Sequence, residues 1–310
     1  MRVAVIGGGQ NCEHDVSLAS AASVRSALDP SRRDIVSFTI GRDGAWTDAA
    51  GESLCFAQAI EGLQACDVVF PAVHGPRGED GSLAALLDFA GVPYVGSGVR
   101  SGALAMDKWA TKLVAEAVGI RTARGHLVRA GATQHLDLKM PVVVKPVAAG
   151  SSFGVTRVDD AAELAAAVER ALELDDRALV EPFVAGREVD IAVLRRADGS
   201  LLVSAPLEIA VEGLFDTDRK YNGTADLRVP ASVKPGELED LERQAIAVFD
   251  ALGCRGVARV DFFLTDRSFV LNEVNTMPGM TEASQVPRMF AAVGLDYAAL
   301  LDELIAAAFR

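Results

Sequence analysis

Two short segments near the end of the chain alternate polar and apolar residues, and this alternation constrains the fold more than any other feature. Arg259 and Asp261 alternate with apolar neighbours in the first segment, as Glu273 and Asn275 do in the second. Because strand side chains point to opposite faces with period two, each pair shares one face of its strand. The turn-forming residues 266–268 between the segments complete the pattern of a β-hairpin.

The predicted hairpin collects two carboxylates, an amide oxygen and a guanidinium in one patch. Mg²⁺ prefers hard oxygen ligands and keeps room for phosphate oxygens, so Asp261, Glu273 and Asn275 are predicted metal ligands. Arg259 supplies a fixed cation for a phosphate or a developing oxyanion. The alternative is a charged, solvated hairpin face, which the apolar residues around the patch disfavour.

The overall charge narrows the classes of partner. The 310 residues carry a formal net charge of −13, which argues against a nucleic-acid or membrane partner because both need a basic surface. The four cysteines are scattered without CxxC spacing, as expected of free thiols in a reducing compartment. Neither a signal peptide nor an apolar stretch long enough to span a bilayer is recognisable, so a cytoplasmic protein is predicted.

Strand-like and helix-like segments divide the chain into three predicted units, at residues 1–97, 98–186 and 187–310. Parallel-type βα units occur together with antiparallel hairpins, so the predicted fold class is α/β and α+β. Strands are predicted at 3–6, 67–73, 93–95, 140–145, 155–158, 178–183, 190–194 and 201–207. Helices are predicted at 15–28, 81–90, 108–118, 163–174, 237–252 and 296–309.

A lysine and a loop of small residues follow one another in the second unit. Lys145 ends a predicted buried strand, and the Gly/Ser loop 150–154, which contains Ser151 and Ser152, comes next. Such a loop exposes backbone N–H groups that can surround a phosphate. The lysine precedes the glycines, so this is not the GxxxxGK[ST] loop. A plain hairpin turn is an equally good interpretation in isolation, and the acidic hairpin downstream favours phosphate binding.

Two glutamates bracket the passage from the second unit to the third, Glu181 and Glu188. A strand leading into a linker can present backbone groups to an adenine edge, and a carboxylate a few residues on can accept the ribose hydroxyls. The polar stretch around Lys220 and Tyr221 has the composition of a mobile lid over a site. Solvated strand ends and an ordinary surface loop are the competing interpretations.

Two polar residues of the first unit lie at predicted element ends. His74 follows a strand of an open α/β sheet, where ligands bind, although a structural histidine is an equal alternative. Glu13 precedes the first helix. Its charge there either complements the helix dipole or holds a substrate ammonium.

Six motifs in order make the chain resemble the D-alanine–D-alanine ligases, which are ATP-grasp enzymes. They are GGGxxxEHDVSL, HGxxGEDG, GSG…AMDK, VVVKPxxxGSSFGV, RVDFF and NEVNTMPGMT. The resemblance runs from about Val3 to the C-terminus. It implies an ATP-grasp fold behind an N-terminal α/β (pre-ATP-grasp) domain, and a homodimer formed through that domain.

The resemblance also implies a reaction. The carboxylate of a first D-alanine attacks the γ-phosphate of ATP and forms an acyl phosphate, with two Mg²⁺ ions, which Mn²⁺ can replace, bridging the phosphates. The amine of a second D-alanine then attacks the acyl carbon, and phosphate leaves. The product is D-alanyl-D-alanine, a precursor of peptidoglycan.

By resemblance, the residues of the chain divide into ATP-binding and substrate-binding groups. Contacts to ATP are implied for Lys108, Lys145, Ser152, Glu181, Phe183, Val184, Glu188 and Lys220, and the metal ligands match Asp261, Glu273 and Asn275. Catalytic roles are implied for Glu13, Ser151, Tyr221, Arg259 and the backbone N–H of Gly279. The first substrate is expected at Glu13, His74 and Arg259, and the carboxylate of the second at Ser284 and Gln285.

Three residues depart from the pattern of the family. Pro182 stands where many members have a lysine beside the adenine, and it lacks an N–H group to donate. Gln285 replaces a frequent leucine or methionine and is expected to alter the choice of second substrate. Cys12 replaces a smaller residue and is expected to narrow the first-substrate pocket. Tyr221, by contrast, matches the members that form a dipeptide.

Three other functions remain as alternatives. A related ATP-grasp ligase that uses another D-amino or D-hydroxy acid is motivated by Gln285 and Pro182. A nucleotide-binding regulatory protein without catalysis is disfavoured by the complete set of predicted phosphate and metal residues. A Rossmann-type dehydrogenase has only the glycines 7–9 in its favour, and their spacing is not GxGxxG.

Overall fold

The computed structural model describes residues 1–131, 138–210 and 226–309, which form three β-sheets with helices packed against them. The strands are β1 (Arg2–Gly8), β2 (Asp34–Ile40), β3 (Trp46–Thr47), β4 (Ser53–Leu54), β5 (Val68–Pro71), β6 (His126–Arg129), β7 (Val142–Pro146), β8 (Thr156–Val158), β9 (Arg177–Pro182), β10 (Arg187–Arg195), β11 (Leu201–Val203), β12 (Leu207–Ala210), β13 (Asp226–Arg228), β14 (Val257–Leu264) and β15 (Phe269–Asn275). The helices are α1 (His14–Ala27), α2 (Phe56–Gln64), α3 (Ser82–Ala90), α4 (Val99–Met106), α5 (Lys108–Ala117), α6 (Leu164–Leu172), α7 (Pro235–Leu252), α8 (Gln285–Ala291) and α9 (Tyr297–Ala307). A short 3₁₀ helix, Ala161–Glu163, precedes α6.

The first sheet has the strand order β4-β3-β2-β1-β5, with β1 parallel to both β2 and β5. The residues Val3–Ile6 at its centre are buried on both faces, as a central parallel strand requires. The chain leaves β1 through a glycine turn directly into α1. This turn places the start of α1 at the carboxyl end of the sheet.

The second sheet is antiparallel, with the order β6-β9-β7-β8. Alanines and valines of α6 pack on it and form a separate small core. Lys145 comes near the end of β7, an interior strand, and its side chain is buried.

The third sheet has the order β13-β12-β10-β14-β15, with β11 also paired to β10. One face packs on α4, α5 and α7. The other face joins α8, α9 and the first unit in one continuous hydrophobic core that includes Val3, Val24, Leu194, Phe290 and Leu304. The first and last parts of the chain are therefore packed together, while the central sheet has its own core.

The hairpin predicted from residues 259–275 is confirmed, and it consists of β14 and β15 paired antiparallel. Arg259 lies opposite Asn275 and Asp261 opposite Glu273. A β-bulge follows, since Asp261 pairs with Glu273 while Phe262 pairs with Leu271. The bulge leaves Asn272 as the extra residue, and bulges turn side chains from their alternating positions. As a result Asn272 and Glu273 both line the same cavity.

Two of the predicted strands are wrong. The segment 201–207 is two strands, Leu201–Val203 and Leu207–Ala210, because Pro206 lacks the N–H group that a continuous ladder needs. The segment 93–95 makes only a single bridge, between Tyr94 and Val69. Lys220 and Tyr221, predicted to belong to a lid, lie outside the described residues.

Candidate active site

A large cavity of about 280 Å³ lies between the second and third sheets. The residues that the sequence assigns to ATP meet at its wall: Lys108, Lys145, Ser152, Glu181, Phe183, Val184 and Glu188. Pro182 and Glu273 also line it. The wall combines apolar side chains with a few convergent charges, the usual composition of a small-molecule site.

A buried ion cluster lies beside this cavity. Glu181 receives Lys145 at 2.5 Å and Lys112 at 2.8 Å, and all three side chains are almost fully buried. Burial opposes the charge of Glu181, but the two ammonium groups hold its pKa below the ordinary value. Lys145 also donates to the bulged Asn272 at 3.1 Å. The cluster therefore holds Lys145 in place at the cavity wall.

A small cavity of about 40 Å³ continues the large one and shares Lys108, Ala149 and Glu273 with it. The Lys108 ammonium donates to the Ala149 carbonyl at 2.7 Å and lies 3.1 Å from Glu273. Asp107 caps α5 by accepting from the N–H of Ala110 at 2.8 Å. This cap fixes Lys108, the first residue of the helix, at the boundary between the two cavities.

Glu13 and Ser151 lie at the far side of the small cavity. The hydroxyl of Ser151 donates to the buried carboxylate of Glu13. A Cβ atom at Gly150 or Gly75 would overlap this carboxylate, so a side chain at either position would displace it or the backbone. Ser151 and Ser152 have φ angles of 50° and 59°, in the left-handed region that ordinary residues avoid. The loop thus holds an unfavourable backbone conformation where it meets Glu13.

The candidate metal ligands lie on adjacent strands. Arg259 donates from Nε and Nη2 to the two oxygens of Asp261, each at 2.7 Å, and Asn275 donates to Asp261 at 3.0 Å. Glu273 lies beside Lys108. Two carboxylates and one amide oxygen fit a Mg²⁺ ion that takes its remaining ligands from phosphate and water. Across 1–131, 138–210 and 226–309, no cluster of three or more His, Cys, Asp or Glu side chains offers a complete protein metal site.

Arg259 lies between two carboxylates, those of Asp261 and Asp190. Its side chain is 16% exposed and comes within 3.7 Å of the fully buried Asp190. Burial disfavours the guanidinium charge, but Asp261 and Asp190 raise the pKa of Arg259 well above its ordinary value. A guanidinium of this kind remains a cation at any working pH.

The loop that follows β15 carries Gly279, Ser284 and Gln285. Ser284 accepts from the Thr281 N–H at 3.1 Å, and a Cβ atom at Gly279 would lie 3.2 Å from the Ser284 hydroxyl oxygen. Gln285 begins α8 and accepts from Nη1 of Arg259 at 2.6 Å. The predicted second-substrate residues therefore lie beside the hairpin.

His74 has both ring nitrogens engaged inside the protein. Burial lowers its pKa, so the ring is neutral; Nδ1–H donates to the Met277 carbonyl at 2.7 Å, and Nε2 accepts from Ser20 at 2.8 Å. The Ser20 hydroxyl also accepts from the Met280 N–H at 3.1 Å. In this arrangement His74 holds the loop 277–280 to the first unit. Cys12, expected to narrow the first pocket, is exposed.

Several functional candidates were missed in the sequence. Lys112 follows Lys108 by one helical turn, which was a signal that both reach the same side of α5. Glu79 lines the small cavity and accepts from the N–H groups of Gly75 at 2.9 Å and Met277 at 3.1 Å. Asn272 reaches the cavity wall because of the bulge, and no local sequence pattern predicts that bulge.

The protein has an ATP-grasp fold. Its three sheets enclose two contiguous cavities, and a hairpin beside them carries the candidate residues for binding phosphate and metal. The similar solved structures support this assignment. At a TM-score of 0.87 and 34% identity, the chain resembles the D-Ala:D-Ser ligase VanG from Enterococcus faecalis, with 99% of each chain covered. It also resembles the D-alanine–D-alanine ligase from Bacillus anthracis complexed with ATP, at a TM-score of 0.85 and 28% identity, with 100% of this chain and 98% of that one covered.

The sequence comparisons identify the family within this fold. The family model "D-ala D-ala ligase C-terminus" matches residues 114–306, and "D-ala D-ala ligase N-terminus" matches 2–61 and 50–97. A D-alanine–D-alanine ligase from Mycobacterium sp. (strain KMS) is 42% identical, over 98% of this chain and 95% of its own length. The chain belongs to the D-alanine–D-alanine ligase family. Among the residues described, no helix has the length and apolar character needed to cross a membrane.

Proposed function

We propose that the protein joins two D-alanines into D-alanyl-D-alanine, with ATP converted to ADP and phosphate, as a step toward peptidoglycan. The contiguity of the two cavities is the observation that carries this proposal. ATP in the large cavity would direct its terminal phosphate toward Lys108 and Glu273, which both cavities share. A D-alanine in the small cavity would meet that phosphate at the same boundary.

The residues of the small cavity fit a first D-alanine. The carboxylate of Glu13, oriented by Ser151, offers an anionic partner for the substrate ammonium. With the ammonium held there, the substrate carboxylate is directed to the Lys108 boundary, where it attacks the γ-phosphate. The P–O bond to ADP breaks as the acyl phosphate forms. Holding both reactants in line supplies most of the catalysis in such a transfer.

The second step forms the peptide bond at the same boundary. The amine of the second D-alanine attacks the acyl carbon, the carbonyl oxygen takes the negative charge, and phosphate leaves as the tetrahedral intermediate collapses. Arg259 is a fixed cation for this oxyanion, and we assign the Gly279 N–H a supporting role. Ser284 directly precedes Gln285, the hydrogen-bond partner of Arg259, and would bind the second carboxylate.

Asp261, Glu273 and Asn275 would hold Mg²⁺ when nucleotide is bound. The metal would neutralise phosphate charge during the transfer. Lys108 and Lys145 neutralise further phosphate charge from the cavity wall, and Lys220 and Tyr221 are proposed to complete the site from a lid. A cytoplasmic location, where ATP is available, and a homodimer formed through the N-terminal unit complete the proposal. Light scattering in solution tests the homodimer.

The test is ADP release from the purified protein with ATP, Mg²⁺ and D-alanine, with the product identified by mass. D-alanine alone is expected to give D-alanyl-D-alanine, while L-alanine gives none. Asp261→Asn and Glu273→Gln are each expected to lower turnover at least about 100-fold. Full activity in both variants would refute the metal assignment, and absence of ADP release with D-alanine would refute the function.

A second candidate is a ligase for another second substrate. Gln285, a polar residue beside Arg259, favours it, and VanG, a D-Ala:D-Ser ligase, is among the similar structures. Competition between D-alanine, D-serine and D-lactate as second substrates separates the two candidates. Preferential formation of a mixed product would favour this alternative.

A further inference from the structure

One hydrogen bond in the site joins Arg259, the cation proposed to stabilise the oxyanion, to Gln285, which departs from the family pattern. Nη1 of Arg259 donates to the amide oxygen of Gln285 at 2.6 Å. The other two guanidinium nitrogens donate to Asp261, each at 2.7 Å. Every nitrogen of this guanidinium therefore has an acceptor.

The two acceptors hold different parts of the group. Asp261 takes the Nε–Nη2 edge in a bidentate pair, which aligns the planes of the two groups but still allows them to tilt together. Gln285 binds the remaining nitrogen from a different element, helix α8, and so removes that tilt. The helix is anchored by Val286 and Met289, which are buried in the shared core. Both acceptors of the guanidinium are thus attached to packed elements.

The neutral amide suits this place better than a charged or an apolar side chain. Arg259 already faces Asp261 and Asp190, so a third carboxylate would further weaken the field that a developing oxyanion meets. An apolar side chain would leave Nη1 without this acceptor in a largely buried site, at the cost of its desolvation.

We propose that Gln285 is a positioning residue, which fixes the guanidinium of Arg259 for the peptide-forming step. This inference rests on the proposed function, and it assigns to Gln285 an effect on turnover that passes through Arg259 rather than through contact with substrate. The consequence is that loss of the amide slows turnover while ATP and D-alanine continue to bind.

The kinetic test uses Gln285→Met, which keeps the length of the side chain and removes the acceptor. Loss of one hydrogen bond to a charged group is expected to lower kcat about tenfold, with the KM of ATP and of both D-alanine sites changed less than about twofold. Glu282→Met, at an exposed position in the turn before the same helix, is the control and should keep the original kcat.

A double-mutant cycle separates positioning from direct contact. In an Arg259→Lys background, Gln285→Met is expected to lower kcat less than about twofold further, because the group that it positions is gone. A full tenfold loss in both backgrounds, an unchanged kcat, or a rise confined to the KM of the second D-alanine would each overturn the proposal.

A readout that does not depend on turnover keeps the inference separate from the proposed function. The Arg259 side-chain signals, assigned by their loss in Arg259→Lys, are followed by ¹⁵N NMR. Slow guanidinium rotation in the wild type and faster rotation in Gln285→Met would support the positioning role of Gln285. Equal rotation rates refute it, whichever substrates the enzyme turns over.

Discussion

At the scale of single residues, Glu79 has a strongly perturbed carboxyl group. Burial, and then the nearby charge of Glu13, raise its pKa to about 8 from an ordinary 4.5. It accepts backbone N–H groups from Gly75 and Met277. Glu79 therefore connects the loop after β5 to the loop after β15, and it does so as a protonated acid at neutral pH.

The protonation of Glu79 predicts how stability depends on pH. Between about 4.5 and 8 the folded protein holds a proton that the unfolded chain has lost, so this group makes the free energy of unfolding fall as pH rises. The slope is at most about 1.4 kcal/mol per pH unit. Glu79→Gln removes this contribution, and urea unfolding at pH 5, 6, 7 and 8 measures the change in slope.

The absolute stability of Glu79→Gln is not the diagnostic quantity. Its amide nitrogen cannot accept a hydrogen bond, so the variant is expected to lose about 1–2 kcal/mol at acidic pH in any case. The wild-type curve should fall toward the variant curve as pH rises and, at the full slope of about 1.4 kcal/mol per pH unit, cross it before pH 8. Parallel curves would mean that Glu79 is ionised throughout the range.

Residue identities in the site were predictable where a motif carried them. Lys145 could be recognised from the strand and Gly/Ser loop around it. The spacing of Lys112 from Lys108 predicts a shared side of α5, but its ion pair could not be predicted, because its partner Glu181 belongs to the second sheet and is distant in the chain. The bond between Arg259 and Gln285 was hidden for the same reason, since the departure of Gln285 was visible but its partner was not.

At the scale of elements, the hairpin was predictable because period two is a local property, whereas its bulge was not. The bulge depends on how β14 and β15 pair. The element α8 was also missed, since seven residues with a proline inside give little helical periodicity. Pro287 is tolerated there because the first turn of a helix needs no internal donor.

The loop between β7 and β8 gives the prediction at this scale. Gly150 lies against the Glu13 carboxylate, so Gly150→Ala must displace either that carboxylate or the loop, and we expect it to disturb the bond between Ser151 and Glu13. We expect the KM of the first D-alanine to rise at least about tenfold, as loss of a charge-assisted hydrogen bond implies. The KM of ATP should rise less, because the loop supplies only part of a wall that Lys145, Glu181 and Glu188 also form. Steady-state kinetics measures both.

Gly236→Ala is the matched control for this loop. A Cβ atom there meets nothing within 4 Å, and the residue lies in the first turn of α7. The control should retain both KM values, with stability unchanged or raised by up to about 1 kcal/mol. If Gly150→Ala behaves as this control does, the close approach of Gly150 to Glu13 does not contribute to substrate binding.

At the scale of the whole molecule, the order of the chain and the order of packing differ. The sequence predicts three consecutive units, and those boundaries remain a prediction. Packing places Val3 and Val24 of the first unit in one core with Phe290 and Leu304 of the last. Helices α4 and α5 pack on the third sheet, although they fall within the predicted second unit. Local periodicity shows which face of an element is apolar, but not which distant element will cover it.

The shared core predicts which parts of the chain lose stability together. Leu304 is 1% exposed, and Leu304→Ala should cost about 2–5 kcal/mol. Because the core is common to both ends of the chain, hydrogen exchange should accelerate in β1 and α1 as well as in α8 and α9, by a similar factor. The second sheet has a separate core. If that core opens independently of the shared core, strands β7 and β9 should keep their protection from hydrogen exchange in Leu304→Ala.

Val144→Ala is the reciprocal variant, since Val144 is fully buried in the core of the second sheet. It should accelerate exchange in β7 and β9 and leave β1 and α9 protected. Exchange measured by mass spectrometry on both variants resolves these segments. If Leu304→Ala destabilised only α8 and α9, the first unit would be stable by itself and the continuous core would not be a cooperative unit. If each variant accelerates exchange only around its own core, the wall bearing Lys145 opens independently of the scaffold bearing Glu13 and Arg259, and such opening would let ATP enter between the two.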